Sequence, residues 1–168
     1  MIARPLVGIV LALALWAAPS LGKNRPLLIW NASPSVPIGL YWVGWGSSVA
    51  GELAVVRLPS AIASFAAGRG YLPQSAYLLK PVVAVGGDHV CRFGGRIFVR
   101  RIFTALARAT DSRGQSLPTW HGCRTLRAGD VFLLAREPTS FDGRYFGRIA
   151  SEHVVGRATL LWPRRAAR

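Results

Sequence analysis

Beyond residue 26 the turn signals recur often, and the apolar runs between them are short and rich in Val, Ile and Phe. That is the pattern of an all-β domain. It predicts strands over residues 39–45, 53–58, 77–85, 89–93, 96–99, 131–135 and 154–162, with Gly87-Asp88, Gly94-Gly95 and Gly129-Asp130 as the turns between them. One segment reads as helix, residues 60–67, where Pro59 suits the start and Gly68-Arg69-Gly70 the stop. Residues 109–122, carrying Asp111-Ser112-Arg113-Gly114-Gln115 and then Pro118-Thr119-Trp120, read as a long surface loop. No internal repeat or low-complexity segment stands out.

Residues 5–22 carry no charge and consist mainly of Leu, Ala, Val and Ile. As a helix this stretch spans about 27 Å, close to the hydrocarbon thickness of a bilayer, so it is expected to enter or cross a membrane. Two outcomes fit it: a retained transmembrane anchor, or a signal peptide cleaved near the small residues of Ala18-Pro19-Ser20. Charge does not settle its orientation, because Arg4 and the amino terminus precede it while Lys23 and Arg25 follow. The expected organisation is a membrane anchor or signal segment with a short linker over residues 1–26 and one catalytic domain over 27–168. About 140 residues are enough for a single core.

The chain has 21 Lys and Arg against 7 Asp and Glu, a net charge of +14, which raises nucleic acid as a partner. The arginines are scattered, however (Arg92, Arg96, Arg100, Arg101, Arg108, Arg124, Arg127, with a terminal group at Arg164, Arg165 and Arg168), and no helix-turn-helix, zinc-finger or RNP pattern accompanies them. No specific nucleic acid is therefore expected, and anionic lipid headgroups are the better match for the charge. Cys91 and Cys123 are the only cysteines. Without Cys-x-x-Cys spacing they argue against a zinc knuckle or a thioredoxin-type redox pair and favour a disulfide over a metal site. His89, His121 and His153 fall in no triad or metal motif, no Gly-x-Ser-x-Gly elbow occurs, and no carboxylate pair suggests glycosidase chemistry.

Two stretches carry chemistry. Ser33-Pro34-Ser35-Val36-Pro37-Ile38-Gly39-Leu40-Tyr41 places a serine ahead of a Pro/Gly turn, and Leu78-Leu79-Lys80-Pro81-Val82-Val83-Ala84-Val85-Gly86-Gly87-Asp88 embeds a lysine in apolar residues. Serine is a poor nucleophile until a base takes its proton, and lysine serves as that base only where burial disfavours its charged form. Ser35 and Lys80 are the candidate catalytic dyad.

Together with Ser140-Phe141-Asp142-Gly143-Arg144-Tyr145-Phe146-Gly147, these boxes resemble the type I signal peptidases (peptidase S26), and within them the TraF-type conjugative-transfer peptidases. The likeness covers roughly residues 28–156. The familiar pattern has two residues between the serine and the proline; here Val36 stands alone, as in the TraF-type subgroup. Pro81 replaces the arginine that usually follows the lysine, and Gly143 replaces a serine, a change expected mainly to leave the local backbone less constrained.

The resemblance implies a mostly β, signal-peptidase/LexA-like fold and a serine endopeptidase without metal or cofactor. It implies an oxyanion hole from the Ser33 hydroxyl and the Ser35 N–H, Ser140 orienting the lysine, and Asp142 with Arg144 bracing the site. The partners implied are a precursor polypeptide, most readily a conjugative pilin precursor, and a bacterial inner membrane with the catalytic domain facing the periplasm; a cleaved N-terminal segment would instead leave the protein periplasmic. In that oxidising compartment Cys91 and Cys123 are expected to form a disulfide. The rivals are a general signal peptidase I that removes leader peptides from many proteins, and a non-catalytic secretion-assembly protein that keeps the fold.

Overall fold

The computed structural model describes residues 25–46 and 48–164. The apolar segment over residues 5–22, with its anchor-or-signal alternatives, lies outside the described residues, among which no helix is long and apolar enough to cross a membrane.

Among the described residues ten strands form in chain order: β1 Leu28–Asn31, β2 Gly39–Gly44, β3 Leu53–Arg57, β4 Tyr77–Val85, β5 His89–Phe93, β6 Arg96–Val99, β7 Ile102–Leu106, β8 Gly122–Thr125, β9 Val131–Leu133 and β10 Val154–Pro163. Helix α1, Ser60–Gly68, follows β3; a single turn of helix, α2 at Gly143–Phe146, and a 3-10 turn at Ser151–His153 precede β10. The strands pair antiparallel in a six-stranded sheet of order β1-β2-β10-β3-β4-β9 and a four-stranded sheet of order β7-β6-β5-β8.

The expected mostly β fold is what forms, and β4, β5 and β6 have the expected bounds. The strand expected over 131–135 ends at Leu133, and the helix expected over 60–67 reaches Gly68. Sequence reasoning missed β1, β7, β8 and α2. β7 holds mostly exposed residues, so no buried face marks it; β1 has only four residues, and of its two inward positions, Ile29 and Asn31, one is polar; β8 has four residues beginning at Gly122.

Pro81 does not break β4. Its carbonyl accepts from Leu134 N at 3.0 Å, while the neighbouring Val82 N donates to Glu52 O at 2.8 Å. The missing N–H therefore falls on the β9 side, at the margin where the β4·β9 ladder begins with Val82 opposite Leu133. The 109–122 loop is less of a free surface loop than expected. Asp111 Oδ1 accepts from the N–H groups of Arg113 and Gln115, both at 2.9 Å, and Trp120 Nε1 donates to Gly143 O at 3.0 Å.

Among the described residues three apolar clusters make the core. Val36, Tyr41, Val43, Val55, Leu79 and Ala158 pack beneath the Ser35 turn. Val56, Val82, Leu133 and Ile149 pack with Ala63 of α1, and Val90, Ile97, Val99, Phe132 and Leu134 join the two sheets. Cys91 and Cys123 face each other across β5 and β8 and form the expected disulfide. Closing the loop between them, a sequence separation of 32 residues, stabilises by about 3 to 4 kcal/mol on chain-entropy grounds.

Candidate active site

The serine turn connects β1 to β2 and is held by its own sequence. Asn31, buried at the end of β1, donates through Nδ2 to the carbonyls of Ser33 (2.8 Å), Val36 (3.1 Å) and Pro37 (3.1 Å), and its Oδ1 accepts from Ser33 N at 3.2 Å. Tyr41, fully buried in β2, donates its hydroxyl to Pro37 O at 2.7 Å. Val36 is driven into the core below, while Ser33 and Pro34 stay exposed and Ser35 is half-buried. Gly39 ends the turn beneath the Trp162 carbonyl oxygen of β10, where a Cβ would collide. Neither Asn31 nor Tyr41 carried an expected role; the signal available was an Asn two residues ahead of a serine, the side-chain-to-backbone pattern of an Asx turn.

Ser33 Oγ lies 3.0 Å from Ser35 Oγ, and Ser35 N donates to Ser33 Oγ at 3.4 Å. The two expected oxyanion donors are thus side by side. Among the described residues no hydrogen bond joins Ser35 to Lys80, but both line one cavity of about 520 Å³ together with Ser33 and Ser140.

Lys80 sits in β4 opposite Ala54 of β3 and keeps 4% of its surface exposed. Its Nζ donates to Ser140 Oγ at 2.8 Å. Burial pushes the ammonium down from its ordinary 10.5 to about 8; the Asp142 carboxylate opposes that shift and the Arg144 guanidinium reinforces it. At pH 7 roughly one such lysine in ten is neutral, against about one in several thousand for an unperturbed side chain.

Ser140, Asp142 and Arg144 are all buried around this lysine. Asp142 is the N-cap of α2: its Oδ1 accepts from Arg144 N at 3.1 Å, and its Oδ2 accepts from Ala135 N at 2.9 Å and pairs with Arg144 Nη1 at 2.6 Å. Arg144 Nη2 continues to Ala135 O at 2.7 Å, and Nη1 reaches Ser140 O at 3.5 Å. Burial pushes the Asp142 carboxyl up; the Arg144 guanidinium and the two backbone N–H groups oppose it.

Gly143 is needed for space and not for backbone freedom, contrary to the expectation from sequence. A Cβ there would lie 2.6 Å from Leu133 O and 2.9 Å from the Phe132 ring. Phe141, between Ser140 and Asp142, stacks on Tyr145 (5.8 Å between centroids) and Phe65 (5.9 Å) and meets Tyr71 and Phe146, which locks the third box onto α1. Nothing in a lone aromatic between two polar residues announced that role. Arg92 also leaves the group of scattered basic residues: it is buried, donates to Arg144 O through Nη1 and to Gly94 O through Nε at 2.8 Å. The three histidines stand outside this cavity.

The arrangement can activate a hydroxyl with a desolvated amine and stabilise an oxyanion beside it. Comparison with known proteins agrees in class. The chain matches the family model described as signal peptidase, peptidase S26, over residues 2–163. It is 31% identical to a plasmid transfer protein TraF of Escherichia coli over 79% of this chain and 82% of that one. It is also 32% identical to a conjugal transfer protein TraF of Agrobacterium fabrum over 76% and 78%. The crystal structure of a signal peptidase I from Enterococcus faecalis aligns with a TM-score of 0.39 and 17% identity over 69% of this chain and 100% of that one.

Proposed function

This chain belongs to the signal peptidase family, peptidase S26, and from that membership we propose that it is a serine endopeptidase with a Ser35/Lys80 dyad, acting on an exported precursor and most specifically on a conjugative pilin precursor. The observation that carries the dyad is Lys80: buried, bonded to Ser140, brought down to about 8, and lining one cavity with Ser35.

In the reaction Ser35 Oγ exchanges its Ser33 partner for Lys80 as substrate enters; hydrogen bonds of this kind often tighten only in the substrate complex. Ser35 Oγ bonds to the scissile carbonyl carbon as its proton passes to Lys80 Nζ. The Ser33 hydroxyl and the Ser35 N–H hold the oxyanion, a contribution of about 10² to 10³ in rate per donor. Lys80 then protonates the departing amine as the C–N bond breaks. Water, deprotonated by Lys80, releases the acyl group and restores Ser35; an amine in place of water would join two ends of the product.

Placement beside a membrane is supported by an apolar face next to the cavity. Leu28 and Trp30 of β1, Trp42 of β2 and Trp162 of β10 are all exposed, and Trp30 lines the cavity itself. Exposed tryptophans of this kind suit the interfacial region of a bilayer, which fits a periplasm-facing domain on an inner membrane. The TraF relatives support conjugative transfer as the setting. The test is co-expression with a pilin precursor: wild-type chain should shorten the precursor and Ser35→Ala should leave it intact. Unprocessed precursor with the wild type, or processing that survives Ser35→Ala, would sink the proposal.

A further inference from the structure

With 21 basic residues against 7 acidic ones, a carboxylate on this protein has many cationic partners within reach. Five have taken one: Glu52 with Arg157, Asp88 with Arg100, Asp111 with Arg69, Asp130 with Arg148 and Asp142 with Arg144. Glu137 and Glu152 form no ion pair among the described residues. Glu152 belongs to the exposed Ser151–His153 turn. Glu137 lines the cavity shared by Ser35 and Lys80, and it is the one carboxylate among the described residues that does so.

Glu137 is also held in place. Its Oε1 accepts from Thr139 N at 3.2 Å and from Thr139 Oγ1 at 2.8 Å. Its carbonyl accepts from Ser140 N at 3.1 Å, which closes a turn on the very residue that takes the hydrogen bond of Lys80 Nζ. The Thr139 bonds, helped by the more distant charges of Arg108 and Arg144, hold the carboxyl below its ordinary range. Arg144 is already committed to Asp142. What remains is an exposed, fixed negative charge on the wall of a cavity whose other lining includes Tyr77, Leu79, Phe141, the serines of the turn and the buried Lys80.

We propose that Glu137 is a specificity residue: it receives the cationic side chain of a Lys or Arg in the polypeptide bound across Ser35. This rests on the reading of the cavity as a peptidase site and adds a charge preference to it. An extended peptide presents alternate side chains to the walls of its groove. A Lys or Arg facing Glu137 gains a charge-assisted hydrogen bond, whereas an acidic residue there meets like charge.

The test uses the full chain in detergent micelles, with Ser35→Ala so that nothing is consumed, and fluorescent peptides spanning the processing region of a pilin precursor. The peptides differ only in carrying Lys, Gln or Glu at each position in turn, and binding is read by anisotropy. At one position Lys should bind about two- to fivefold tighter than Gln, the range of an exposed ion pair. Adding Glu137→Gln should bring that ratio to about one, and Glu137→Lys should invert it in favour of Glu. Equal binding of Lys and Gln peptides at every position, no binding of any peptide, or a Lys preference that survives Glu137→Gln would overturn the inference. Cleavage of the same peptides by the chain with Ser35 intact is followed in parallel. Charge-dependent binding without Ser35-dependent cleavage would remove the peptidase reading alone; cleavage indifferent to charge would remove the Glu137 assignment alone.

Discussion

Ser35 stands on a half-buried turn whose neighbours Ser33 and Pro34 are exposed, whereas Lys80 lies inside a nine-residue strand with 4% of its surface exposed. The serine turn is secured from within, by Asn31 and Tyr41 bonding to backbone carbonyls at most six residues away. The lysine is secured from afar: Ser140 is 60 residues downstream, and the Asp142–Arg144 pair behind it is buried between β9 and α2. The difference follows from the chemistry each would perform. A nucleophile must meet substrate, so it needs exposure and a rigid local turn. A lysine base must lose its proton near neutral pH, so it needs desolvation, which only packing from several elements supplies.

The sharpest break is at Lys80, the proposed base. Lys80→Met should abolish precursor processing, and the Ser35→Ala/Lys80→Met double variant should be no slower than either single one, because the two act as a unit. Substantial processing by Lys80→Met would dissolve the dyad.

Next in size is the support behind the lysine. Asp142→Ala leaves Arg144 buried without its partner and removes the cap of α2, which should cost about 3 to 5 kcal/mol of stability. Denaturant unfolding checks this, with activity lost together with the fold; a loss below about 1 kcal/mol, the value of a surface pair, would mean that the lysine side is no more buried than the serine side.

A smaller effect separates the two halves by pH. With Lys80 at about 8, kcat/KM should rise roughly tenfold per unit up to that region and then level off. The same shift has a stability consequence. The folded lysine titrates at about 8 and the unfolded one at 10.5, so the folded state binds fewer protons between those values. Stability should therefore increase as pH rises through that window and be lost as pH falls back through 8. Lys80→Met should flatten that slope. A rate profile governed by a group near 6.5 and removed by changing one of the three histidines would assign the base elsewhere.

The smallest effects distinguish orientation from turn rigidity. Ser140→Ala should slow processing less than Lys80→Met and move the midpoint of the pH profile below about 8, because the oxygen that accepts from the ammonium is gone. Asn31→Ala should slow processing by about tenfold, since it frees three carbonyls around Ser35 at about 1 kcal/mol or less each, while leaving the midpoint where it was. A midpoint that shifts in Asn31→Ala, or one that stays in Ser140→Ala, would mean the two halves are not independently built.

Much of this was legible from the chain alone where the determinant is local. The bounds of β4, β5 and β6 follow from apolar runs cut by glycine turns, and the three boxes pick out Ser35, Lys80 and the segment from Ser140 to Arg144 because family pattern and local chemistry coincide there. Local signals also pointed to the cysteine pair, which the β5·β8 register then brought face to face.

What tertiary structure alone decided is whatever depends on who sits opposite whom. Gly143 is small because Leu133 and Phe132 approach it, Arg92 is a buried brace because Gly94 and the Arg144 carbonyl surround it, and Phe141 is a lock because Phe65 and Tyr145 arrive on its two sides. β7 escaped notice since its mostly exposed residues gain regularity only from β6 beside it, and β1 because its four residues, with a polar Asn31 on the inward face, are ordered only by pairing with β2. Residue type sets what a side chain can do; its pKa, its partner and its room are set by atoms tens of residues away, and no local pattern encodes them.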